Sequence, residues 1–370
     1  MGRAKGALEN LVMNRGFWAG RRVFVTGHTG FKGSWLLAML RALGAETTGY
    51  ALPPPTDPAM FNILGLADSC THVIGDIRDL DALQSAISAA RPEVVIHMAA
   101  QPLVRLSYDR PVETYAVNVM GSVHLMEACR HVSSVRSIVM VTTDKCYENV
   151  GWVYGYRETD RLGGADPYSN SKAACELTVE AYRHSFFHPG RHDDHRVGLA
   201  SARAGNVIGG GDFAADRLVP DAVRAFAAGQ NLSIRNPLAI RPWQHVLEPL
   251  SGYLLLAERL HGDVRFATGW NFGPRTDESV AVGQVADLAA AHWGEGACWE
   301  QDAGEHPHEA ATLKLDSTKA LLELGWRPQF TVPDAVDVTM LWYRGWHEGA
   351  DLARLTDEQV GRYLDSAASS

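Results

Sequence analysis

A short β-branched and aromatic run, Val23-Phe24-Val25-Thr26, leads directly into Gly27-His28-Thr29-Gly30-Phe31-Lys32-Gly33. That turn opens into Ser34-Trp35-Leu36-Leu37-Ala38-Met39-Leu40-Arg41-Ala42-Leu43, apolar at helical spacing, with Gly44 placed to stop it. Few folds accept a strand, a glycine turn and a helix in that order. The glycines let one backbone approach another, and the helix must pack back onto its strand. A second strand over 46–50 completes a β-α-β unit. Backbone N–H groups at such a turn face an anion, and the helix dipole favours it. The expected occupant is the pyrophosphate of a dinucleotide, with Gly27, Gly30 and Gly33 as backbone positions and Phe31 beside them. His28 and Lys32 either add positive charge there or are exposed loop side chains.

The alternation continues, with strands near 72–74, 94–97, 138–141 and 197–202 and helices over 80–90, 111–130 and around Tyr168. Alternation of this kind specifies an α/β fold with a Rossmann-type, doubly wound parallel sheet. From about Gly209 the glycine, proline and tryptophan content rises and the alternation breaks, which reads as a smaller mixed α/β C-terminal lobe. The expected organisation is an N-terminal arm over 1–16, a dinucleotide-binding domain over 17–208 with a returning segment 243–262, a substrate lobe over 209–242 and 263–350, and a tail over 351–370.

The net charge of −9 with no long basic run argues against a nucleic-acid binder. The cysteines, Cys70, Cys129, Cys146, Cys175 and Cys298, are odd in number, scattered and without CxxC spacing. That usage fits a reducing cytoplasm rather than a disulfide scaffold or a zinc site. Neither a membrane-spanning run nor a signal-like apolar N-terminus is expected. His184, His188, His192 and His195 have ligand-like spacing, but a Pro-Gly turn among them reads as an exposed loop; no metal is expected there or at His306 and His308.

The reactive residues follow the apolar strand ending at Val141. Thr142-Thr143-Asp144-Lys145-Cys146-Tyr147 places a hydroxyl, a carboxylate and an amine in succession at a strand's C-terminal end, where open α/β sheets place their sites. Tyr168 and Lys172 form a YxxxK pair, on one face of a helix, where an amine can lower a phenol's pKa. Moving a hydride needs Thr143, Tyr168 and Lys172; Asp144 and Lys145 suggest chemistry beyond that. Lys145 would need its usual pKa of about 10.4 lowered to act as a base, and Asp144 would need its own raised to act as an acid. The end of the second strand lacks both the usual acid for an adenosine ribose and an arginine cluster, so it does not discriminate NAD from NADP. Asp76, beside Ile77, is either an adenine contact or a helix-capping aspartate. Ala99, Ala100 and Gln101 offer small residues and close backbone after the fourth strand.

These residues, with Leu315-Asp316-Ser317-Thr318-Lys319-Ala320 and Gly325-Trp326-Arg327-Pro328, resemble the extended short-chain dehydrogenase/reductases acting on nucleotide sugars over roughly 17–345. Within them the Asp-Lys pair is similar to that of the CDP-glucose 4,6-dehydratases. The resemblance implies NAD as cofactor and CDP-glucose as substrate. It also implies a cycle of C4 oxidation, loss of water across C5 and C6, and hydride return to C6. Thr143 would hold O4, Tyr168 with Lys172 would take its proton, and Asp144 and Lys145 would serve as acid and base. It further implies Asn118 on the cofactor side, and Asn206, Arg217, Arg241, Trp243 and His245 toward the nucleotide sugar. Trp243 reads equally as a core residue. A homodimer is implied through the 112–130 and Tyr168 helices, with a dimer of dimers open; Leu125, Met126, Cys129, Ala173, Leu177 and Ala181 either line that contact or face the core. The competing readings are a nucleotide-sugar 4-epimerase, a dehydratase of another nucleotide sugar, and a cofactor-binding regulator without turnover.

Overall fold

The computed structural model describes residues 13–275, 280–294, 296–302, 304 and 312–369. A parallel sheet is built from β1 (Arg22–Thr26), β2 (Glu46–Ala51), β3 (Thr71–Ile74), β4 (Val94–His97), β5 (Ser137–Val141), β6 (Gly198–Ala204) and β7 (Gly269–Phe272). The spatial order is β3-β2-β1-β4-β5-β6-β7, so the winding reverses between β1 and β4. In such sheets the crevice at the reversal, outside the strands' C-terminal ends, is where ligands bind.

Side-chain alternation along the strands separates two cores. Phe24, Val95, Ile138, Met140 and Leu199 face α2 (Leu80–Ala90), α3 (Gly121–Arg130) and α4 (Pro167–Ser185). Val23, Val25, Ile96, Val139 and Ala200 face the other way, with α1 (Phe31–Ala42) and, further along the chain, α6 (Leu247–Gly262). A smaller lobe carries α5 (Leu218–Ala227), α7 (Val282–Trp293) and short strand pairs such as Trp299–Gln301 with Leu232–Ile234. Beyond it come α8 (Val332–Glu348) and α9 (Leu352–Ser369).

Three features differ from the sequence-based organisation. Gly269–Phe272, expected in the lobe, is the edge strand of the main sheet, paired in parallel with Ser201–Ala204. The expected tail is the helix α9, whose Val360, Tyr363 and Leu364 are buried. The helix expected over 111–130 is one path containing a π turn at Ala116–Met120, a feature frequent near functional sites. Most of the N-terminal arm, and His306 and His308, lie outside the described residues. Among the described residues no helix is long and apolar enough to cross a membrane, and no group of three or more His, Cys, Asp or Glu could hold a metal.

Candidate active site

The turn between β1 and α1 is shaped by close backbone contacts. Gly27 has φ +77°, and a methyl group there would lie 2.7 Å from Ala99 N. A methyl group on Gly33 would lie 2.2 Å from Gly27 O, so the helix rests directly on the turn. Thr26 Oγ1 accepts from Met98 N and Ala99 N at 3.2 Å each and lies 2.7 Å from His97 Nδ1, tying the turn to the end of β4. Gly30 is the N-cap of α1 and no side chain caps that helix, leaving its first-turn N–H groups facing the crevice. This cradle fits a pyrophosphate.

The side chains around the cradle divide sharply. His28 is fully buried, its Nε2 2.6 Å from His72 Nδ1 and its ring against Gly49. Burial and His72 lower its pKa to about 4, so the expectation that it supplies positive charge to a phosphate is corrected. Lys32 does turn toward the crevice. Burial, then the charges of Arg217 and Lys172, opposed by Asp144 and reinforced by Lys145, lower it to about 8. The ribose position at the end of β2 is taken by packing: Tyr50 covers Gly75 and donates to Asp76 O at 3.1 Å. The Asp76 carboxylate grips Arg78, its Oδ2 2.5 Å from Nη2, and caps no helix; Asp79 does that for α2. The Ile77 side chain is packed against Gly121, which leaves only its backbone to a ligand.

After β4 the backbone is held from behind. Asn118, in the π turn, accepts from Gln101 N at 2.9 Å and donates to Gln101 O at 3.2 Å and Ser171 Oγ at 2.9 Å. The Gln101 side chain bonds Leu103 and Thr114. Asn118 and Gln101 thus brace the loop that carries Ala99 and Ala100.

At the end of β5, Thr143 caps a short 3₁₀ turn, Asp144–Cys146. Asp144 is 1% exposed; its Oδ1 accepts from Thr143 Oγ1 at 2.9 Å and its Oδ2 is buried with no partner among the described residues. A surface salt bridge is thereby excluded for Asp144. Lys145 Nζ stands 4.0 Å from Asp144 Oδ1 with its side chain 35% exposed, so it reaches toward the opening. Asp166 caps α4 by accepting from Ser169 N at 2.9 Å, and with Pro167 in the first turn this sets Tyr168 facing Thr143. Burial raises the Tyr168 phenol to about 12; the Thr143 hydroxyl and Arg217 lower it, while Asp144 and Asp166 raise it. Burial holds the Lys172 amine below its ordinary value. The phenol expected to be acidified from the YxxxK spacing is thus raised in the protein alone, because desolvation outweighs the Thr143 hydroxyl and Arg217.

With this geometry in place, comparison with known proteins is decisive. The GDP-mannose 4,6 dehydratase family pattern matches residues 24–339. The chain belongs to that family. It is 50% identical over 356 residues to a CDP-glucose 4,6-dehydratase of Salmonella typhimurium, covering 96% of this chain and 99% of that one. Among solved structures it resembles a UDP-glucose 4-epimerase of Thermotoga maritima with UDP-glucose, at TM-score 0.76 and 22% identity over 88% of this chain and 99% of the other. It also resembles a dTDP-glucose 4,6-dehydratase of Bacillus anthracis in complex with NAD, at TM-score 0.73 and 21% identity over 90% and 99%.

Of the residues expected toward the nucleotide sugar, Arg217 stands before α5, donates to Asp212 Oδ2 at 2.8 Å and acts electrostatically on Tyr168 and Lys32. Asn206 is half-buried, its Oδ1 without a partner among the described residues. Arg241 lies on a two-residue strand of the lobe paired with Val280–Ala281. Trp243 is in the main core. His245 is a correction: it is wholly buried between Trp35 and Phe330, with ring centroids 5.6 and 5.5 Å away, and burial lowers it to about 3. Its Nδ1 accepts from Leu247 N at 3.3 Å, so it is a buried core residue, not a ligand contact.

Sequence reasoning also missed polar residues at the site. Glu176 is at i+4 from Lys172 and i+8 from Tyr168, so helical spacing alone places all three on one face. Its partner Arg203, on β6, has no such local signal. Tyr253 on α6 brings a buried hydroxyl, unpartnered among the described residues, into electrostatic range of Asp144 and Tyr168 from the opposite face of the sheet.

Proposed function

We propose that this protein catalyses the NAD-dependent 4,6-dehydration of CDP-glucose to CDP-4-keto-6-deoxyglucose and water. The observation that carries the reading is the buried Asp144, one oxygen unpartnered, beside Thr143 and Lys145 and facing Tyr168. The extensive identity to a CDP-glucose 4,6-dehydratase supports it.

The cradle of Gly27, Gly30 and Gly33 would hold NAD+, which would supply a hydride acceptor for C4 and, once reduced, the donor to C6, with none consumed overall. Thr143 holds the sugar O4, and Tyr168 takes its proton as the C4–H hydride leaves. The phenol, at about 12 in the protein alone, needs added positive charge, which the cationic cofactor would bring beside Tyr168 and Lys172. The resulting 4-ketone acidifies C5–H. Asp144 and Lys145 then divide two tasks between them, removing the C5 proton and protonating O6 as it departs as water; as a close pair they act as one unit. Asn206 and Arg217 stand toward the nucleotide sugar's diphosphate, with Arg241 contributed from the lobe, and Lys32 stands toward the cofactor's pyrophosphate.

A homodimer is the assembly we infer. Tyr108, Val112, Met120 and Leu177 are exposed on neighbouring helical segments, with Ala181 exposed on α4. Leu125, Met126, Cys129 and Ala173, open between interface and core in the sequence, are buried within the monomer. The free thiols, including buried Cys129, Cys146 and Cys175, support a reducing, cytoplasmic setting.

Purified protein incubated with CDP-glucose and NAD+ tests the activity. A base-labile 4-keto-6-deoxy product without net NADH accumulation is expected. CDP-galactose would instead establish a 4-epimerase, and product only from another nucleotide sugar would keep the chemistry while discarding the cytosine assignment.

A further inference from the structure

A buried polar centre lies directly behind the turn that bears Asp144 and Lys145. Glu176, on α4, accepts at Oε2 from Arg203 Nη2 and from Ser201 Oγ, both at 2.7 Å, and at Oε1 from Thr142 Oγ1. Arg203 Nη1 donates to Tyr147 OH at 2.7 Å and to Glu158 O at 3.2 Å. Tyr147 OH in turn donates to Asn271 Oδ1 at 2.7 Å, and the Tyr147 ring stacks on Tyr156 with centroids 5.4 Å apart. The side chains of the ion pair are 6% and 3% exposed.

One carboxylate–guanidinium pair thus grips the residue before Thr143 and the residue after Cys146. A buried ion pair is a poor device for stability, since well-packed apolar residues of similar volume serve as well. A multiply hydrogen-bonded network of this kind, in which only Arg203 Nε lacks a partner among the described residues, instead restricts geometry. The restricted segment is the turn 143–146. Tyr168 and Lys172 have further supports in the Asp166 cap and the Asn118–Ser171 contact, and the charge of Glu176 reaches Lys172 along the same helix.

We propose that Glu176 and Arg203 are positioning residues for the dehydration. Through Thr142 and Tyr147 they clamp both ends of the turn that carries the acid and the base, and so set those groups for elimination across C5 and C6. The inference rests on the dehydratase reading. Elimination takes a proton from C5 and delivers one to O6, so it needs both side chains placed at once. C4 oxidation draws on one residue of the clamped turn, Thr143 at its first position, and otherwise on Tyr168 and Lys172 of α4, so the clamp bears on it less than on elimination, which needs both Asp144 and Lys145.

Thr142→Val and Tyr147→Phe cut the clamp at its two ends while leaving the ion pair in place. Two readouts apply. In cofactor-free protein, hydrogen exchange in a peptide spanning 142–147 should accelerate while the α4 peptide stays unchanged. In a single turnover with CDP-glucose and NAD+, the rise of reduced-nicotinamide absorbance should slow far less than its decay, because only Thr143 of the oxidising residues lies in the turn. The decay should slow about ten- to hundredfold, the scale at which small misplacements act. Because cutting either end frees the turn, the double variant should be no slower than the slower single variant. Unchanged exchange and decay, equal slowing of rise and decay, or multiplying effects in the double variant would each overturn the clamp. The variants report the same clamp from opposite ends, so one that folds suffices. An unsubstituted protein with no rise and decay would instead defeat the dehydratase reading, with the exchange readout still deciding the clamp.

Discussion

At the scale of single residues, the site depends on how burial treats each charged group. Asp144 is enclosed while Lys145 keeps an opening, so two neighbours in sequence meet different surroundings. Asp144→Asn retains shape but can neither give nor take a proton, and its turnover should fall about 10²–10⁴-fold with CDP-glucose affinity retained, read from kcat and KM. Lys32 gives a pH signature. Its amine is charged below about 8 and neutral above, so an anion bound beside it loses an attraction as pH rises through that value. Affinity for NAD+ should therefore fall with pH around 8, and Lys32→Gln should flatten the profile; an unaltered profile would remove Lys32 from the phosphate site. The clustering of the candidate reactive residues was legible because their spacing is local: Thr143, Asp144 and Lys145 are consecutive, and Tyr168 and Lys172 are one helical turn apart. His28 and His245 misled because imidazole is polar in sequence yet sits neutral in a core, a choice made by long-range packing.

At the scale of elements, the glycine turn, π turn and α4 are placed by specific backbone and side-chain contacts. Gly33→Ala would put a methyl group 2.2 Å from Gly27 O, so α1 must lift from the turn. The expected outcome is loss of cofactor binding, measured by calorimetric titration with NAD+. Asn118→Ala leaves the Gln101 N–H without its acceptor and should cost about 1–3 kcal/mol, read by urea unfolding. Glu176 adds an acid dependence. Burial alone would raise its pKa, but Arg203's charge, then the hydrogen bonds from Arg203, Thr142 and Ser201, outweigh that and hold it low. A carboxylate lowered in this way stabilises the fold above its unfolded pKa of about 4.3, and that stability is lost as pH falls through the lower folded value. Most strands and helices were legible from alternation and helical spacing. The π turn was not, since it follows from Asn118 reaching across to the loop after β4.

At the scale of the whole molecule, the ends of the chain hold parts of it together. Glu248, buried on α6, accepts from Gln329 N at 2.9 Å, Phe330 N at 2.7 Å and Tyr363 OH at 2.6 Å, joining α6 to the segment before α8 and to α9. Removing 351–370 would take the Tyr363 hydroxyl from that carboxylate and uncover the surface under Val360 and Leu364. A marked fall in thermal midpoint is expected; an unchanged midpoint would make α9 dispensable. The doubly wound sheet was readable from the first β-α-β unit onward. Its last strand, Gly269–Phe272, was not, because it returns from the lobe after a break in the alternation, and only pairing with β6 shows where it belongs. Reversal of the sheet between β1 and β4 brings the glycine cradle of α1 beside the Thr143–Tyr168 face, which lets one crevice serve both oxidation and elimination. The direct test of that account is the fate of the C4 hydrogen. CDP-glucose carrying deuterium at C4 should give a 4-keto-6-deoxy product with that deuterium at C6 of the same molecule and solvent hydrogen at C5. Deuterium retained at C4 in a C4-inverted sugar, or lost to solvent, would contradict it.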